Sequence, residues 1–154
     1  MFGGGTISGF LEKLFSMGME TAIMASSYKS GTEKIVALMK KFLNDGGTVS
    51  DFFKMVDVRA YDLSNKQSDI KLVKTIDFAG VYILHNQTKN TFFIGKSTHV
   101  IKKVERQFRG FENKDIYNDF KNNNKYIIRF FRLVDSDFDS IDDFENYIKN
   151  IYIK

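Results

Sequence analysis

The feature that most constrains this chain is a change of period at Asp77. Up to about residue 60 apolar residues recur at helical spacing; beyond Asp77 they come in short β-prone runs. Val81-Tyr-Ile-Leu and Thr91-Phe-Phe-Ile flank His85-Asn-Gln-Thr-Lys-Asn90, which is turn chemistry, so the three together predict a β-hairpin. Ser97 is placed to cap a helix running to about Arg109, and a further helix is expected over 114–121 until Asn122-Asn-Asn breaks it. Tyr126-Ile-Ile-Arg-Phe-Phe-Arg-Leu-Val is a third strand on its β-branched and aromatic content. Asp139 or Ser140 then caps a last helix to about Ile151. The expected class is α+β: a small three-stranded antiparallel sheet flanked by helices, preceded by an N-terminal helical region.

That N-terminal region covers 1–60. Residues 1–8 are Gly-rich and read as extended. Phe10, Leu11, Leu14, Phe15, Met19, Ala22 and Ile23 mark one helical face. Ile35, Leu38, Met39, Phe42 and Leu43 mark a second, which Gly46-Gly47 stops, and Thr48 or Ser50 opens a short third helix. Residues 61–77 are polar and read as a linker, leaving 78–154 as the second domain. The N-terminal helices carry no chemical motif. They are expected to pack on the sheet, to bind a protein partner, or to read DNA through a helix-turn-helix at Gly46-Gly47.

Composition excludes several classes. The chain has 154 residues, 43% of them hydrophobic and 15% aromatic, which is enough for a core and argues against long disorder. The absence of Cys excludes disulfides and thiolate metal sites, and two histidines make a poor zinc site. Without a secretory leader or an apolar run of membrane length, the expectation is a cytoplasmic protein with no membrane partner. The Lys, Asn, Ile and Phe bias fits an AT-rich source such as a phage or mobile element. The net charge of +4 is unevenly spread. Residues 79–132 carry 11 basic and 4 acidic side chains, whereas 133–154 carry 2 basic and 6 acidic. A basic middle of this kind attracts a polyanion, and the acidic end beside it suits a metal or an internal counter-charge. The basic residues Lys96, Lys102, Lys103, Arg106, Arg109, Lys121, Lys125, Arg129 and Arg132 interleave with Phe108, Tyr126 and Phe130. Arg129 and Arg132, three apart on a strand, must point to opposite faces.

The hairpin itself carries Gly80-Val81-Tyr82 on one strand and Phe93-Ile94-Gly95 on the other, with ten residues between Tyr82 and Phe93. Gly95-Lys-Ser-Thr-His-Val-Ile-Lys-Lys-Val-Glu-Arg-Gln-Phe108 follows. Gly95-Lys96-Ser97 also mimics the end of a phosphate-binding P-loop, but that loop needs Gly at position 90, where Asn90 stands. In motif, spacing and element order, residues 79 to about 150 resemble the GIY-YIG nuclease family, which implies a DNA endonuclease hydrolysing phosphodiesters with one Mg2+ or Mn2+ ion.

Carried over residue by residue, the resemblance makes Tyr82 the strand tyrosine beside the attacking water. A phenol with its ordinary pKa near 10 serves as base only when a cation lowers that value, which Lys102, Lys103 or Arg106 would have to do. Lys103, eight residues after Gly95, stands where the family has an arginine, and Arg106 follows one turn later. Gln107 replaces a titratable His or Tyr, and Phe93 lacks the hydroxyl of the family's second tyrosine. Lys96, Ser97, His99, Lys102, Gln107 and Arg109 are the expected substrate contacts. Glu145 is the expected metal ligand, with Asp142 the alternative and helix-dipole acids the ordinary explanation of both. A phenol, cations and a late acid are thus expected in one pocket. The alternative is a catalytically degenerate module that binds nucleic acid (DNA before RNA) or a protein partner.

Overall fold

The computed structural model describes residues 31–57 and 76–153. The helix expected over 10–23 and most of the 61–77 linker lie outside them. Among the described residues, α1 is Gly31–Asn44, β1 Gly47–Thr48 and α2 Val49–Val56. Then follow β2 Gly80–Asn86, β3 Thr91–Ser97, α3 Val100–Phe108 and α4 Lys114–Lys121. The chain continues through β4 Tyr126–Arg132, a 3-10 turn at Leu133–Asp135 and α5 Ile141–Tyr152. The class is α+β, as expected.

The described residues fall into two units, one of 31–41, 50–57 and 76, the other of 42–49 and 77–153. In the first, Ile35, Val36 and Met39 of α1 and Phe52 and Met55 of α2 are buried, and Lys41 pairs with Asp51 at 2.8 Å. The expected faces are met in part: Ile35, Met39 and Phe52 are buried, whereas Leu38 and Leu43 stay partly exposed and Val36 and Met55 are buried without having been expected.

The second unit holds an antiparallel sheet in the order β1-β4-β2-β3. Four strands stand where three were expected. The fourth is β1, whose Gly47 and Thr48 pair with Ile128 and Ile127. Two residues carry no period-2 signal, and Gly46-Gly47 reads only as a helix stop, so the sequence gives no hint of it. β2 is central and almost wholly buried, paired with β3 from Gly80↔Ser97 to Asn86↔Thr91 and with β4 from Gly80↔Arg132 to Asn86↔Tyr126.

Alternation along β2 sorts the core into two layers. Val81 and Ile83, with Ile94 across the hairpin, pack against Phe144 and Ile148 of α5. Tyr82 and Leu84 face the other way with Ile128 and Phe130, and α3 covers that side, where the Phe108 ring meets Tyr126 at 5.3 Å. Phe130 is completely buried between the rings of Phe42, at 5.2 Å, and Phe78, at 5.8 Å. Burial of one such ring contributes roughly 1.5–3 kcal/mol. Phe108, Tyr126 and Phe130, which interleave with the basic residues in sequence, are thus core residues.

The caps fall partly as expected. Asn113 Oδ1 accepts from the N–H groups of Asp115 and Ile116 at the start of α4, and Ser140 Oγ accepts from Asp143 N–H at α5. Ser97 does not cap α3; its hydroxyl accepts from His99 N–H instead. The cap comes from Asp77, whose carboxylate accepts from Ile101 N–H at 2.7 Å and Lys102 N–H at 3.1 Å, while Phe78 C=O takes Val100 N–H. Burial holds the Asp77 carboxyl above its usual 3.8 against the opposing pull of those backbone donors. This clasp fixes where α3 starts relative to the hairpin, and so where its side chains fall.

Candidate active site

The two motif glycines have a steric cause. A Cβ on Gly80 would collide with the Phe131 carbonyl, and one on Gly95 would collide with the Tyr82 ring and hydroxyl. Gly95 lies directly across from Tyr82 in the register, so the phenol crosses over bare backbone toward the outer edge of β3. Phe93 lies on the same face, its ring centroid 6.1 Å from that of Tyr82.

Tyr82 is only 1% exposed, and its hydroxyl accepts a hydrogen bond from Gln107 Nε2 at 3.1 Å. Asn113 N–H donates to Gln107 Oε1 at 3.1 Å, which leaves the amide nitrogen for the phenol. Burial pushes the Tyr82 pKa up to about 12; the Gln107 hydrogen bond opposes this, and the charges of Glu112 and Glu145 add to it. No cation is among the groups that lower it, contrary to expectation; Lys103 and Arg106 are both engaged by Glu112. Lys103 Nζ meets Glu112 Oε1 at 2.6 Å and Arg106 Nε meets Oε2 at 2.7 Å. One carboxylate thus pairs with both cations. Hydrogen bonds from Arg106, then from Lys103, hold the Glu112 carboxyl below its usual 4.5.

The late acids form a second group. Lys96 projects to the face opposite Tyr82 and forms an ion pair with Asp142. Its ammonium also stands 3.6 Å from Glu145 Oε1, and Lys149 stands 3.6 Å from the same oxygen. Glu145 is largely buried and Asp142 exposed. The expected single pocket is therefore two polar groups, one on each side of edge strand β3. Tyr82, Lys103, Arg106 and Gln107 assemble around Glu112; Lys96, Asp142 and Glu145 assemble beyond. Both groups act on Tyr82, since Glu112 and Glu145 each raise its pKa.

The remaining expected contacts stay outside these groups. Ser97 and His99 serve the turn before α3, where His99 Nδ1 lies 3.1 Å from Thr98 Oγ1. Lys102 gives its backbone N–H to Asp77 and leaves its side chain exposed. Arg109 Nε pairs with Glu105 one turn earlier on α3, at 2.9 Å. Arg129 and Arg132 face opposite sides, as the spacing requires: Arg129 reaches Tyr152 and Arg132 lies over the Phe78 ring. Sequence reasoning missed Glu112 and Asp77. An acid in the loop straight after a helix bearing two nearby cations was the available signal for Glu112.

No protein-family model, curated protein or solved structure matches the chain. Among the described residues, no group of three or more His, Cys, Asp or Glu side chains is placed to hold a metal, and no helix is long and apolar enough to cross a membrane.

Proposed function

We propose that the second unit is a GIY-YIG-type endonuclease module that binds DNA through its phosphodiester backbone. One observation carries this reading. Lys103 and Arg106 hold the two oxygens of a single carboxylate at 2.6 and 2.7 Å beside the Tyr82–Gln107 pair. A phosphodiester also presents two anionic oxygens, and charge-assisted hydrogen bonds of this kind are the strong ones. Exchange of Glu112 for a backbone phosphate would leave both cations paired and set the phosphorus near the phenol. At neutral pH Tyr82 is protonated and buried, so it is not a general base; its hydroxyl, bonded by Gln107, ties β2 to α3 beside the two cations. Lys103 and Arg106 offset the charge that develops at phosphorus.

The expected Mg2+ or Mn2+ would sit at Glu145, with Asp142 the alternative ligand. Such ions are typically held by one or two carboxylates together with substrate phosphate oxygens and water. When bound, the ion lowers the pKa of its water and offsets phosphate charge. Lys96 and Lys149 already engage these acids and would compete for them.

That competition, with the missing hydroxyl at Phe93, favours a second reading: a module that binds DNA and does not cut it. Supercoiled plasmid incubated with Mg2+ or Mn2+ separates the two. Nicking that is lost in Glu145→Gln and in Arg106→Ala supports the endonuclease. Intact plasmid with retarded mobility supports the binding module. Neither nicking nor retardation at high protein sinks both.

A further inference from the structure

Among the described residues, five large apolar side chains are strongly exposed: Phe111, Val134, Tyr147, Ile151 and Ile153. Single exposed apolar residues are ordinary on a protein surface and need a second observation before they mean anything. Four of the five belong to the acidic segment 133–154, which repels a polyanion. Phe111, 65% exposed, is different. It lies in the basic segment, and the next residue is Glu112, the carboxylate held by Lys103 and Arg106.

The backbone that carries the ring is tied to Arg106, whose guanidinium also lies over the ring. Phe111 N–H donates to Arg106 C=O at 2.9 Å, Arg106 Nη2 donates back to Phe111 C=O at 3.4 Å, and the guanidinium carbon sits 5.5 Å from the ring centroid. Arg106 thus grips an anion with Nε and lies over an exposed aromatic ring at the same time. A rigid aromatic surface beside a phosphate-sized anion seat is the arrangement by which single-stranded nucleic acid is bound: the backbone on cations, the adjoining base stacked on the ring.

We propose that Phe111 is a stacking platform for an unpaired nucleobase, next to the Lys103–Arg106 phosphate seat. This rests on the DNA-binding reading above and adds to it a preference for single-stranded, frayed or branched DNA over closed duplex. A paired base is stacked within the helix and cannot reach the ring.

The chain contains no Trp, so Phe111→Trp installs a unique fluorophore at the point of interest. Titration with a short oligothymidylate should quench and shift its emission, while an abasic oligonucleotide of the same length and charge should bind more weakly with little quenching. Phe111→Ala should weaken oligothymidylate binding roughly tenfold, within the range seen when a stacking aromatic is removed, with an unchanged salt slope because no charge is lost. Equal quenching by the thymidylate and abasic strands, or undiminished affinity of Phe111→Ala, overturns the stacking role while leaving the phosphate seat intact. Failure of the wild-type chain to bind any oligonucleotide overturns both.

Discussion

At Tyr82 one buried phenol decides what chemistry is open to the site. Its folded pKa of about 12 lies above the ordinary 10. The protonated form is therefore favoured by the fold, and the stability it contributes is fully present below pH 10 and lost as pH rises from 10 to about 12. In a spectrophotometric titration of the seven tyrosines, Tyr82→Phe should remove one late-titrating phenol and make the fold less sensitive to alkali over that window. A second residue-scale expectation concerns Gly95. Alanine there drives a methyl into the phenol, so Gly95→Ala should destabilise by about 1–3 kcal/mol in denaturant melts. Paired with Tyr82→Phe it should still be destabilising, because the ring as well as the hydroxyl is in the way.

Helix α3 owes its placement to a residue more than twenty positions upstream. Asp77→Ala removes an acceptor for Ile101 and Lys102 N–H and should cost on the order of 1–2 kcal/mol in chemical denaturation. Asp77→Asn keeps one carbonyl oxygen and should recover part of that. At the other end of α3, Glu112 sets the charge balance. Its folded pKa is depressed, so its contribution to stability is present above the ordinary 4.5 and lost as pH falls below it through the folded value. Glu112→Gln releases Lys103 and Arg106, and should tighten DNA binding at neutral pH; a binding titration that shows weaker or equal affinity counts against the exchange of carboxylate for phosphate. Much of this element-level order was legible in the sequence. Val81–Leu84, Thr91–Ile94 and Tyr126–Arg132 announce strands by composition, and a helix running to about Arg109 was expected after Ser97. What was hidden depends on contact across the chain. Asp77 caps from a distance, and β1 is two residues long. Within the site, the joining of Lys103 and Arg106 near Tyr82 was foreseeable from helix periodicity. Their neutralisation by Glu112, and Lys96's hold on Asp142 and Glu145, were not, because loop conformation and sheet register decide both.

Over the whole chain, the basic stretch of 79–132 and the acidic stretch of 133–154 fold into one unit. Ion pairs such as Lys96–Asp142 join the two stretches, and around α3 the cations Lys103, Arg106 and Arg109 are likewise paired, with Glu112 and Glu105. Binding governed by such charges falls steeply with salt. The most direct test of the central claim, that Lys103 and Arg106 grip a DNA phosphate, is the salt dependence of affinity for one labelled oligonucleotide, measured for the wild-type chain and for a Lys103→Ala/Arg106→Ala double variant. Loss of two phosphate contacts should make the log–log slope shallower by roughly 1.4 on a single strand, or 1.8 on duplex. An unchanged slope and affinity in the double variant would contradict the claim.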